Sequence, residues 1–211
     1  MLIISVEQIG KYHYKVTFDT GYVLVLYPGD LQKFGIKEGN TLPADKFNIL
    51  IEKIVLKRAK AKILQLLKIS DKSEYEIQLK LRQKYYPADV IQKAIEYAKD
   101  YDYINDSRVV SQIIKSRIAR KSKREIVAYL RGKGIDSELI EHGFQGIEQD
   151  EMTVVRKLLQ KKVKPGEAIT PEKSTKLYGY LLRKGFNPST IMRCMKELGS
   201  LENDEYDNFY C

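Results

Sequence analysis

Residues 125–144 read EIVAYLRGKGIDSELIEHGF, and the pattern recurs on both sides, as EIQLKLRQKYYPADVIQKAI over residues 76–95 and KLYGYLLRKGFNPSTIMRCM over residues 176–195. The three segments align without gaps at offsets of 49 and 51 residues. Ile77, Ile126 and Leu177 correspond, and Leu81, Leu130 and Leu181 follow one helical turn later on the same face. Tyr86, Ile135 and Phe186 share a position, as do Ile91, Ile140 and Ile191. A fixed period of this size marks stacked supersecondary units rather than one irregular globule.

Each unit predicts three helices. Ser73-x-x-Glu76 and Ser122-x-x-Glu125 are capping boxes that open the second helix of the first two units. Thr170-Pro171 supplies an N-cap and a first-turn proline in the third. Gly134 and Gly185 stand where the second helix must stop. Tyr85 holds that site in the first unit, a departure the sequence does not account for. Third helices open at Pro87, Asp136 and Asn187-Pro188, and first helices end near Ile69, Arg120 and Val163. Lys164-Pro165-Gly166 is the clearest internal break. Cys194 aligns with Ala94 and Gly143, so it reads as a small buried hydrophobe where helices approach closely.

Upstream the pattern is β. LIISVEQI, Tyr12–Phe18 and Tyr22–Tyr27 read as strands, with Asp19-Thr20-Gly21 as a turn. His13 falls on the polar face of its strand and reads as solvent-exposed. Leu31–Phe34 reads as one helical turn closed by Gly35, and Pro43 suits a helix start. A sheet this small needs a helix to cover it. The expected architecture is mainly α: three tandem three-helix repeats, elongated and curved, behind a small N-terminal β-sheet. The expected boundaries are a β-rich region 1–52, repeats 53–104, 105–147 and 148–200, and a disordered acidic tail 201–211 ending in Cys211.

The 211 residues carry 37 Lys and Arg against 28 Asp and Glu, a net charge of +9. The balance is uneven: −1 over residues 1–52, +14 over 53–200 and −4 over 201–211. The densest basic stretch runs from Lys115 to Lys133, with Glu125 its one acid. Such a chain is attracted to a polyanion. No apolar run is long enough for a membrane span, and no signal peptide is evident, so a cytoplasmic location is expected. Two histidines and two cysteines leave little room for a metal site or a nucleophile–histidine pair, and there is no P-loop and no G-x-S-x-G. An enzyme is therefore not expected, nor any cofactor.

The binding candidates are exposed cations on the second helices and their exits. They are Arg82 and Lys84 in the first repeat; Arg117, Arg120, Lys121, Lys123, Arg124, Arg131 and Lys133 in the second; Arg183 and Lys184 in the third. Arginine's planar fork matches phosphate and carboxylate. Lys84, Lys133 and Lys184 recur at one repeat position, although cations also favour helix C-termini for their own sake. Tyr85, Tyr86, Tyr129, Tyr178 and Tyr180 are candidates for stacking, with repeat-core packing the simpler reading for most of them.

Three passages resemble the RecX family, regulators of the bacterial RecA recombinase. They are Tyr103-Ile-Asn-Asp-Ser-Arg108, the run Arg117–Ile126 followed by Leu130-Arg-Gly-Lys-Gly-Ile135, and Tyr180-Leu-Leu-Arg-Lys-Gly-Phe186. Together they span about residues 55–198, and the β region resembles an extension that many such proteins of Gram-positive bacteria carry. Val109-Val110 departs from the family's aromatic–alanine pair, and Arg120-Lys121-Ser122 lacks a glycine often found there. The resemblance implies a non-enzymatic monomer that binds the RecA filament on single-stranded DNA and mainly inhibits recombinase, ATPase and coprotease activity in DNA repair and the SOS response. The alternative from the residues alone is a helical-repeat protein that binds nucleic acid directly, in a single-strand groove or by a helix-turn-helix.

Overall fold

Alternating apolar residues build a three-stranded antiparallel meander, β1 (Ile3–Gly10), β2 (His13–Phe18) and β3 (Val23–Leu26). Its register sets Val6 opposite Val16 and Val16 opposite Leu24, with irregularities near both ends of β1. In this computed structural model, residues 1–163 and 169–198 are described, and the chain forms two compact units that meet in sequence at Val109/Val110. The fold is mainly helical, with this one small sheet.

In the first unit, Val16, Phe18, Leu24 and Leu26 are buried and His13 is exposed. α1 (Pro28–Phe34) follows the sheet and ends on Gly35, whose φ of 64° is the left-handed exit. The next helix begins at Ala44, with Pro43 at its N-cap as expected, nine residues before the expected start of the first repeat at residue 53. It runs as α2 (Ala44–Ile49), a π-helical segment Leu50–Val55, and α3 (Leu56–Leu67). The early start supplies the cover the sheet requires: Phe47 packs edge-on against Phe18 and Tyr22, each at 5.5 Å between ring centroids. The π segment buries Leu50, Ile51 and Val55 before α3 turns Ala59 and Ile63 into the same core.

α4 (Glu74–Arg82) and α5 (Ala88–Asp100) complete the first three-helix group. Ser73 caps α4 reciprocally with Glu76. The Tyr103–Arg108 passage is a clasp. Asn105 caps α6 (Asp106–Arg117) by accepting the Arg108 N–H at 2.9 Å. Asp106 accepts the Glu74 N–H at 2.9 Å, satisfying a donor at the start of α4. Arg108 binds Asp71, Asp102 and the Asp102 and Tyr103 carbonyls.

The second unit repeats the scheme with α7 (Lys123–Gly132), α8 (Ser137–Gly143), α9 (Glu151–Gln160), α10 (Pro171–Arg183) and α11 (Pro188–Glu197). The aligned positions Ile126, Leu130, Leu177, Leu181, Ile140 and Ile191 are all buried. Gly143 shows why its repeat position must be small: a Cβ there would stand 2.3 Å from Val110 Cγ1. Cys194, at the same position, is fully buried, and burial pushes its thiol pKa up. The Lys164-Pro165-Gly166 break and the acidic tail with Cys211 lie outside the described residues.

All three second helices end alike. The N–H groups of Tyr86, Ile135 and Phe186 donate to the carbonyls of Leu81, Leu130 and Leu181 at 3.2–3.3 Å. The residue before each is left-handed: Tyr85 at φ 60°, Gly134 at 71° and Gly185 at 84°. Tyr85 therefore adopts the glycine conformation without being glycine.

Candidate binding surface

α7 begins at Ser122, whose Oγ accepts the Glu125 N–H at 3.1 Å while its own O–H donates to the Lys184 carbonyl. The Lys184 ammonium donates to Glu125 at 2.8 Å, and Lys121 reaches the same oxygen at 3.2 Å. Burial alone would raise the Glu125 carboxyl; the hydrogen bonds from Lys184 and Lys121 outweigh it and hold the pKa below its ordinary value. The Glu125 hydrogen bond holds Lys184 above its ordinary value in turn. The one acid of the basic stretch thus serves to fasten the start of α7 to the end of α10.

That arrangement sorts the predicted cations. Lys121 and Lys184 are bound to Glu125. Arg117 lies with its guanidinium 3.6 Å from the centre of the Tyr129 ring, and Lys133 approaches the same ring at 5.3 Å. Lys123 stands 5.0 Å from the Phe144 ring. Arg124 packs its methylenes where a Cβ of Gly185 would fall, as close as 2.4 Å, so Gly185 answers both to its φ and to this contact. Arg120, Arg124, Arg131 and Arg183 are exposed and have no carboxylate partner among the described residues. In the first unit Arg82 and Lys84 are exposed as well.

The structure thus gathers Arg117, Lys121, Lys123, Arg124, Lys133 and Lys184 around α7 through specific contacts. Recurrence at one repeat position does not give equal surroundings: Lys184 is tied to Glu125, whereas Lys133 lies over Tyr129. Of the named tyrosines, Tyr129 and Tyr85 are exposed, and Tyr86, Tyr178 and Tyr180 are half-buried. The fastening role of Glu125 was foreshadowed by its capping box, but Lys184 lies 59 residues away and carries no local signal.

A second polar centre, in the first unit, was not read from the sequence. Arg58 on α3 makes two hydrogen bonds to the buried Asp30 of α1, at 2.5 and 2.9 Å, and lies 4.5 Å from the Tyr27 ring centre. Asp30 also accepts the Tyr27 N–H at 2.9 Å. The only sequence hint is an acid in the first turn of a helix, which favours the dipole but does not name a partner.

Among the described residues, no group of three or more His, Cys, Asp or Glu side chains is placed to hold a metal ion. No described helix is long and apolar enough to cross a membrane. The surface offers binding chemistry: forked cations and an aromatic ring flanked by charge.

Known proteins resemble the chain in these three-helix groups and along most of its length. Residues 59–97 match the family description "RecX, first three-helix domain" and residues 148–195 match "RecX, third three-helix domain". The chain is 28% identical over 210 residues to the Regulatory protein RecX of Clostridium beijerinckii, covering 98% of this chain and 99% of that one. It is 29% identical over 175 residues to that of Clostridium acetobutylicum, covering 80% and 82%. A crystal structure of regulatory protein RecX has the same fold, with a TM-score of 0.62, 20% identity and coverage of 92% of this chain and 98% of that one. The crystal structure of RecX from Lactobacillus salivarius gives 0.58 at 24% identity, covering 70% and 98%. The chain thus resembles regulatory proteins of the RecX family along nearly its whole length, and its first and third three-helix groups fall where that family's domain descriptions match.

Proposed function

We propose that the protein binds the RecA filament on single-stranded DNA and restrains its recombinase, ATPase and coprotease activity. The observation that carries this reading is the cationic surface around α7, where Arg120, Arg124 and Arg131 stand exposed without carboxylate partners. Such cations match phosphates and acidic loops of a nucleoprotein polymer. Repetition of one structural unit suits a repeating partner, because several weak contacts to neighbouring subunits combine as effective concentration. The likeness to proteins named as regulatory protein RecX supports a regulatory role.

The test is the ATPase rate of the cognate recombinase on single-stranded DNA, with and without the protein. The parent is expected to slow turnover. The double variant Arg120→Glu, Arg131→Glu is expected to inhibit at least tenfold less at equal concentration. Lys37→Glu, Lys46→Glu, which changes net charge equally at exposed sites of the first unit, is expected to inhibit as the parent does. Equal inhibition by all three proteins removes the α7 surface from the reading. Direct binding to nucleic acid is the competing view, and it predicts equal affinity for bare and recombinase-coated DNA.

A further inference from the structure

The first unit contains a groove of about 730 Å³ between the sheet, α3 and the exit of α4. Its walls carry the rings of Tyr27, Tyr85 and Tyr86 and the cations Arg58, Lys62 and Lys84; no carboxylate lines it. Asp30, the acid bound to Arg58, is buried. Burial raises the Tyr86 phenol above its ordinary pKa.

Tyr85 is the telling residue. It sits at the helix exit where the other two repeats have Gly134 and Gly185, in the same left-handed conformation, which a bulky side chain adopts only under strain. Core packing does not explain it, because Tyr85 is 52% exposed. What the ring does is line the groove. A strained aromatic at an exposed site, lining a groove together with two more tyrosines and three cations, has the composition of a base-stacking platform with phosphate contacts at its rim.

We propose that this groove binds one or two nucleotides of a single nucleic-acid strand, with a base against Tyr85 and phosphates at Lys62 and Lys84. The site belongs to the first unit and α7 to the second, and the proposal does not rest on the filament reading. A duplex keeps its base faces stacked inside and does not fit.

The experiment measures fluorescence anisotropy of a labelled dT12 oligonucleotide and of a 12-base-pair duplex with the full-length protein, no recombinase being present. Tyr85→Gly removes the ring and restores the backbone preference of the other repeats, so folding is preserved; Tyr85→Asn, also tolerant of the left-handed region, is the second variant. Both are expected to bind dT12 at least fivefold more weakly than the parent, with duplex affinity unchanged. Lys62→Glu, Lys84→Glu is expected to lose at least as much and to flatten the salt dependence. A loss under fivefold in both Tyr85 variants, an equal loss on the duplex, or no binding of dT12 by the parent overturns the proposal. So does displacement of dT12 by poly-glutamate that depends on Tyr85, which would make the groove a site for acidic peptide. The Arg120→Glu, Arg131→Glu protein should retain the Tyr85-dependent part of dT12 binding, which separates this test from that of the α7 surface.

Discussion

Tyr85 holds a left-handed backbone at φ 60° where its counterparts are glycines. That conformation costs a non-glycine residue about 1 kcal/mol or more, partly offset in a glycine variant by greater freedom of the unfolded chain. Tyr85→Gly is therefore expected to raise stability by about 0.5–1 kcal/mol in a denaturant titration. Asp30 presents the opposite case. Asp30→Ala strands Arg58 and the Tyr27 N–H, and a loss of about 2–3 kcal/mol is expected, below the full cost of breaking a buried pair because Arg58 is partly exposed. Leu130 and Leu181, both fully buried, are expected to cost about 2–5 kcal/mol when replaced by Ala, whereas a solvent-facing leucine would cost under about 0.5 kcal/mol. The two leucines were legible in the sequence because burial on one helix face imposes a period. Asp30–Arg58, 28 residues apart, was not, because an ion pair leaves no periodic trace.

At the level of elements, capping and helix exits were legible because their chemistry is local. Ser73, Ser122 and Thr170 each cap the helix they precede. The helix start at Ala44 was legible from Pro43, but its continuation through residues 50–55 into α3 was not. Its π segment, LIEKIV, shifts the phase of the apolar positions, and a run rich in Ile, Leu and Val is not assigned by periodicity alone. The joint between α7 and α10 has a pH signature. The Glu125 carboxyl lies below its ordinary value near 4.5 in the folded chain, so its contribution is complete above that value and lost as pH falls through the lower folded one. Melting temperatures of Glu125→Gln and the parent should therefore differ at pH about 7 and converge as the pH falls below that ordinary value. A constant difference across that range would mean the carboxylate's charge has no part in the joint.

For the whole molecule, the charge distribution governs behaviour toward partners. The α7 surface concentrates cations, and inhibition of the recombinase should weaken steeply when salt rises from about 50 to about 200 mM, with a shallower slope for Arg120→Glu, Arg131→Glu. Identical slopes would place the contact elsewhere. The repeat count and the basic stretch were legible in the sequence at this scale. Which cations are committed was not, since that depends on Lys184 returning to Glu125 from 59 residues away. The fully buried Cys194 has a practical corollary. In a Cys211→Ser background its thiol would be the sole target of a disulfide-exchange dye, and it sits in the core formed by α9, α10 and α11. The rate of colour development would then clock how often that last bundle breathes open, independently of the rest of the chain.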